Sequence, residues 1–229
     1  MYKSAQVTEA ALPAPRIFQR WVLLSIAALA GMAYASFPLA IWLNAPFAMH
    51  GEVSILGEAG QPHAALFNSL DIISGGLLTA LSIFLLILHK GTSKSWRWAL
   101  VALLVSGLGA ISAAILPLPA VFSFPNSLHA LLHISAAVFA HGFASFINTS
   151  AFIMSTILWM LIILRGGLPR KKRLALAGSM LLIVAVGPIL TFIFPKTGDI
   201  TQRVFIVLFA IWLIFFTYDA LQADSHPKL

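Results

Sequence analysis

The chain has 229 residues, enough for one large soluble domain or two small ones, yet only 9% are charged and 60% are hydrophobic. Ordinary soluble domains carry about 25% charged residues, and a mean hydropathy of +0.95 leaves too little polar material to face water. That excludes a soluble enzyme, and the absence of cysteine excludes disulfides, thiolate catalysis and Cys-ligated metal clusters.

The net charge of +7 does not point to nucleic acid, because the Lys and Arg residues fall in short segments between apolar runs. There they orient a membrane protein. Six runs reach the ~20 residues that a span needs: 17–44, 65–89, 96–117, 142–165, 174–194 and 202–222. They predict an all-α, six-helix transmembrane bundle over 17–222, with tails at 1–16 and 223–229.

The first run follows Lys3, Arg16 and Arg20 and contains Ala33-Tyr34-Ala35, which imitates a signal-peptide cleavage site. It continues through Phe37, Leu39, Ile41, Trp42 and Leu43, so it reads as a retained span kinked at Pro38. The 45–64 loop has Glu52 and Glu58 but no Lys or Arg, and Glu58 reads as solvated. Asp71 is the only carboxylate well inside a span. At ~100° per residue, Asn68, Asp71, Gly75 and Ser82 share a face, with Thr79 at its edge. An ionisable group in a bilayer is costly; Asp71 is either a structural carboxylate bonded to a neighbouring helix or a functional one.

The next loop, 89–97, carries Lys90, Lys94 and Arg97, and beside them His89 reads as solvated. In the third span, Gly107, Gly109, Ala110, Ala113 and Ala114 make a smooth face for close helix packing. Trp42, Trp96 and Trp98 stand at span ends, the aromatic-belt positions. From 127 to 164 there is neither Pro nor Asp, Glu, Lys or Arg. One helix of that length would run about 57 Å at ~1.5 Å per residue, against a hydrocarbon core of ~30 Å. A short helix at 127–140 is therefore expected, with a break at Gly142 or at Asn148-Thr149-Ser150, before the fourth span.

That short helix places His129 and His133 at i and i+4, above a face continued by Ala136, Ala140 and Ala144, with His141 further on. Such a pair can chelate one metal ion, or it can be interfacial and bonded to carbonyls and water. The 165–173 loop holds Arg165, Arg170, Lys171, Lys172 and Arg173; the fifth span is expected to kink at Pro188, and 195–201 carries Lys196 and Asp199. The loop charges place both termini in the cytoplasm, so His50, His63, Asp71, His129 and His133 all come to the outer side.

These residues define the expected site. Asp71 and His133 are the candidate acid–base pair, and His129, His133 and His63 are candidate ligands for a divalent metal such as zinc. The corresponding function is an outward-facing, metal-assisted hydrolase or other enzyme acting on a lipid or small amphipathic substrate. The alternative is a non-catalytic assembly subunit or small-ligand-binding protein, with the bilayer, an oligomer or a larger membrane complex as its setting. Transport has no support, since neither an internal repeat nor paired broken helices are visible.

The 53–78 segment, VSILGEAGQPHAALFNSLDIISGGLL, resembles the prokaryotic six-helix membrane family of domain of unknown function 998. Ser54, Leu56 and Gly57 match its Ser-x-Leu-Gly stretch, and Phe67-Asn68 its Phe-Asn opening of the second helix. The resemblance implies six helices in a prokaryotic plasma membrane and a histidine in the fourth-helix region, corresponding to His129 or His133. The Asp that many members carry after a Phe-Pro is missing from Ile115-Leu-Pro-Leu-Pro. A weaker likeness is to the alkaline ceramidase and adiponectin receptor superfamily. It implies a zinc amidohydrolase site that His129, His133 and Asp71 would partly reproduce.

Overall fold

A computed structural model describes residues 14–43, 53–89, 93–116, 118–119, 135–165, 171–172, 175, 178–180 and 198–223. Among them there is no strand. Five long helices make the bundle: α1 Ala14–Tyr34, α2 Ala64–Leu88, α3 Lys94–Ile115, α4 Ala136–Arg165 and α5 Gly198–Ala223. All five are long and apolar enough to cross a membrane. The expected fifth span, 174–194, lies almost wholly outside the described residues.

Small residues decide how closely the helices approach. A Cβ on Gly75 of α2 would stand 2.7 Å from the Gly107 carbonyl of α3, and one on Gly109 would stand 2.8 Å from the Asn148 nitrogen of α4. Gly31 of α1 meets Ala210 of α5 in the same way. Serines add bonds to backbone across these contacts: Ser74 donates to the Ala30 carbonyl at 2.8 Å and Ser155 to the Ala99 carbonyl at 2.9 Å. Between apolar helices in lipid, this close packing and hydrogen bonding replace hydrophobic burial as the cohesive force.

The contacts fix the direction of each helix. α1 and α5 are antiparallel, since Arg20 donates to the Leu221 carbonyl at one end while Gly31 meets Ala210 further along. α4 and α5 are parallel: Phe152 packs on Phe205 and Phe209, and Trp159 on Trp212 and Phe216. One end of the bundle therefore holds Arg20, Lys94, Arg97 and Arg165, and is the basic end. The other holds Tyr34, Asn68, the end of α3 and the starts of α4 and α5.

Five expectations need correction. Pro38 ends the first helix instead of kinking it: α1 stops at Tyr34, and Phe37–Leu39 forms a 3-10 turn before a short helix at Ala40–Leu43. A proline ring clashes with the carbonyl four residues back, here that of Tyr34. α4 runs unbroken through Gly142 and Asn148-Thr149-Ser150 for 30 residues. The Asn148 side chain is engaged with other helices and does not compete with its own backbone. Trp96 is buried, stacked at 5.5 Å on His89, which is itself fully buried at the α2–α3 corner. Trp42 and Trp98 are exposed, as belt residues would be. Glu58, finally, is only 4% exposed, because the turn that carries it folds over the end of the bundle.

Candidate functional site

The turn Val53–Gly57 closes the pocket end. Leu56 and Phe67 pack with Ala40, the Asn68 amide donates to the Gly57 carbonyl at 2.9 Å, and the Val53 N–H donates to Gln202 Oε1 at 2.7 Å. A side chain on Gly57 would collide with Asn68. Leu56, Gly57, Phe67 and Asn68, spread over two segments of sequence, are thus one clasp that holds the turn on α2.

Beneath it lies a cavity of about 120 Å³, lined by Tyr34, Val53, Ser54, Asn68, Asp71, Ala110, Ala113, Ala114, His141, Ser145, Asn148, Thr149, Gln202 and Ile206. Every long helix contributes. Asp71 stands one turn below Asn68 on α2, and its carboxylate accepts no hydrogen bond from the described residues. Three alanines of α3 form the smooth wall. α4 supplies His141, Ser145, Asn148 and Thr149, whose i, i+4, i+7, i+8 spacing gives one face.

A bonded chain holds this frame. Ser106 donates to Asn148 Oδ1 at 2.7 Å, and the Asn148 amide nitrogen donates to the Tyr34 hydroxyl at 3.3 Å. His141 Nδ1 contacts the carbonyls of Ala113 at 3.0 Å and Leu116 at 2.8 Å. Carbonyls only accept, so Nδ1 carries a proton, which in the neutral tautomer leaves Nε2 as the acceptor. The ring thereby satisfies the end of α3, whose last carbonyls lack helical partners.

Of the expected site residues, Asp71 lies in the pocket. His63 is exposed at the start of α2 with φ 61°, and does not line the cavity. His129, His133 and His50 lie outside the described residues. Among the described residues no group of three His, Asp or Glu is placed to hold a metal ion. The histidine that does line the cavity is His141, and Asn148 and Thr149, expected as a helix break, are part of its wall. The Asp71 stripe divides in function: Asn68 and Asp71 face the cavity, while Gly75 and Thr79 pack on Gly107.

Fold and site together define an integral, multi-pass, all-helical membrane protein with a polar pocket at one end of its bundle. The chain matches the family described as "Protein of unknown function (DUF998)" over residues 25–219, and it belongs to that family. No curated protein and no solved structure matches it. The likeness to the alkaline ceramidase and adiponectin receptor superfamily finds no support in these comparisons.

Proposed function

We propose that the protein binds a small polar molecule, or the polar head of an amphipathic one, in the Asp71 pocket from the outer face of a prokaryotic plasma membrane. The observation that carries this reading is a carboxylate within a membrane span that no described side chain or backbone group satisfies, on the wall of a cavity. In a bilayer such a group is retained for function. The basic end, with Arg20, Lys94, Arg97 and Arg165, supports a cytoplasmic position for that end and an outward one for the pocket. The parallel run of α4 and α5 supports a sixth crossing within 166–197, and with it two cytoplasmic termini.

The absence of cysteine makes the test direct. A Ser145→Cys variant should react with a small impermeant thiol reagent in intact cells, and Ser155→Cys, buried among the helices, should not. Protection of Ser145→Cys in cells and its reaction only in inverted vesicles would overturn the orientation.

A second reading is hydrolytic, favoured by Asp71 and His141 lining one cavity. Its metal-assisted form would draw on His129 and His133. Metal analysis of purified protein, with and without His129→Ala and His133→Ala, tests that form; turnover of amphipathic esters and amides by wild type and His141→Ala tests the metal-free one.

A further inference from the structure

The donor and acceptor inventory of the pocket narrows the ligand. Asn68, Asn148 and His141 Nδ1 each commit a donor to protein, to Gly57, Tyr34 and the end of α3, while among the described residues the Gln202 amide nitrogen and the Tyr34 hydroxyl keep donors of their own. The one carboxyl on the wall is Asp71, whose two oxygens accept when it is ionised, as does Nε2 of a neutral His141, and hydroxyls such as Ser145 and Thr149 act either way. No Lys or Arg lines the cavity among the described residues. Arg203, next to the lining residue Gln202, turns aside to lie over the Phe37 ring at 5.8 Å.

Resting on the pocket reading above, we propose that the ligand is cationic: an ammonium group whose N–H donors meet Asp71 and His141 Nε2. Three physical facts bear on this. A carboxylate in low dielectric attracts a cation far more strongly than it would in water, and repels an anion equally. A charge-assisted bond to Asp71 would supply the partner that the described residues do not. The cavity of about 120 Å³ is well above the ~10–15 Å³ that a single water needs. It therefore has room for an ammonium with a short stem. A free small amine and an aminated lipid headgroup share this chemistry.

The test uses the full-length protein in nanodiscs of phosphatidylglycerol and phosphatidylcholine, which contain no primary amine. Ethanolamine should raise the melting temperature saturably, while ethylene glycol, of similar size but uncharged, should not. Asp71→Asn should lose the response to ethanolamine, and so should Ala113→Leu, which fills the cavity. Replacing part of the lipid by phosphatidylethanolamine separates the sources: a shift with this lipid and none with free ethanolamine identifies a headgroup, and the reverse identifies a free amine. Equal responses of wild type to ethanolamine and ethylene glycol would overturn the cationic assignment while leaving a polar-ligand pocket intact. An ethanolamine response unchanged in Asp71→Asn would overturn it too, as would no response to either amine source. The wild-type comparison stands even if a variant fails to fold, and the Ser145→Cys labelling reports on the pocket independently.

Discussion

At their basic ends, α4 and α5 meet through rings; at their pocket ends the same two helices flank a cavity. Trp159 and Phe216 cross edge-on at 5.3 Å, Trp212 stacks on Phe216 at 4.8 Å, and Phe152 meets Trp212 edge-on at 4.8 Å. A polar tie enters that region, from Trp159 Nε1 to Asp219 at 2.7 Å. Nearer the other end, α4 presents His141, Ser145, Asn148 and Thr149, and α5 presents Gln202 and Ile206. Space is filled in the first region and kept in the second. The ring-packed half can hold the helices in register while the other half keeps a carboxylate that no described residue satisfies, a division between rigidity and function common to binding sites.

The largest expected effect lies in the ring cluster. Phe216 is fully buried against Trp96, Trp159 and Trp212. Phe216→Ala should cost about 3 kcal/mol, the low end for Phe→Ala in a core, because lipid already solvates an exposed ring and only packing is lost. Ser145→Ala, on the pocket wall, should change stability by less than about 0.5 kcal/mol. Unfolding in mixed micelles measures both. Similar losses would erase the difference between the two halves.

Between them lies the α2–α3 contact, where adjacent glycines give a sharper control. The Cβ of Gly75→Ala would stand 2.7 Å from both the Gly107 carbonyl oxygen and Ile111 Cγ1, so helices must move; Gly76→Ala meets nothing within 4 Å. Gly75→Ala should destabilise by about 1–3 kcal/mol, and Gly76→Ala should stabilise by up to about 1 kcal/mol through helix propensity. The same unfolding assay would show a loose α2–α3 interface if the two variants behaved alike.

Much of this was legible in sequence. Hydropathy located the five long helices, the loop charges placed the basic residues at one end, and the cost of an intramembrane carboxylate singled out Asp71. The Gly107 and Gly109 face was read correctly as close packing, while Ala110, Ala113 and Ala114 beyond it turned out to wall the cavity. The misreadings share a cause: depth along a helix does not reveal what lies across from it. Asn148 is one of the places where length and polarity predict a break, yet its amide is held between Ser106 and Tyr34. His89 and Glu58 neighbour loops and charges in sequence, but a helix corner and a folded-back turn bury them. His141 could have been found by extending the α4 face backwards from Asn148 and Ser145 in steps of four and three.

The smallest expected effect reverses an ordering that sequence alone would give. If Asp71 were bonded to a neighbour and Glu58 were solvated, Asp71→Asn would be the more damaging change. Asp71 instead accepts no hydrogen bond from the described residues, so an amide of the same shape removes a charge from a membrane span without breaking a bond. Its stability should stay within about 0.5 kcal/mol of wild type or rise, as at functional sites that are not optimised for stability. Glu58 is buried and is not without a partner, and disturbing a buried polar group costs about 1–3 kcal/mol. Glu58→Gln should therefore melt lower than Asp71→Asn when both are purified in the same detergent without added amine. A loss at Asp71→Asn equal to that at Glu58→Gln would mean that Asp71 is tied to the protein itself, and the pocket would lose the free carboxylate on which its ligand depends.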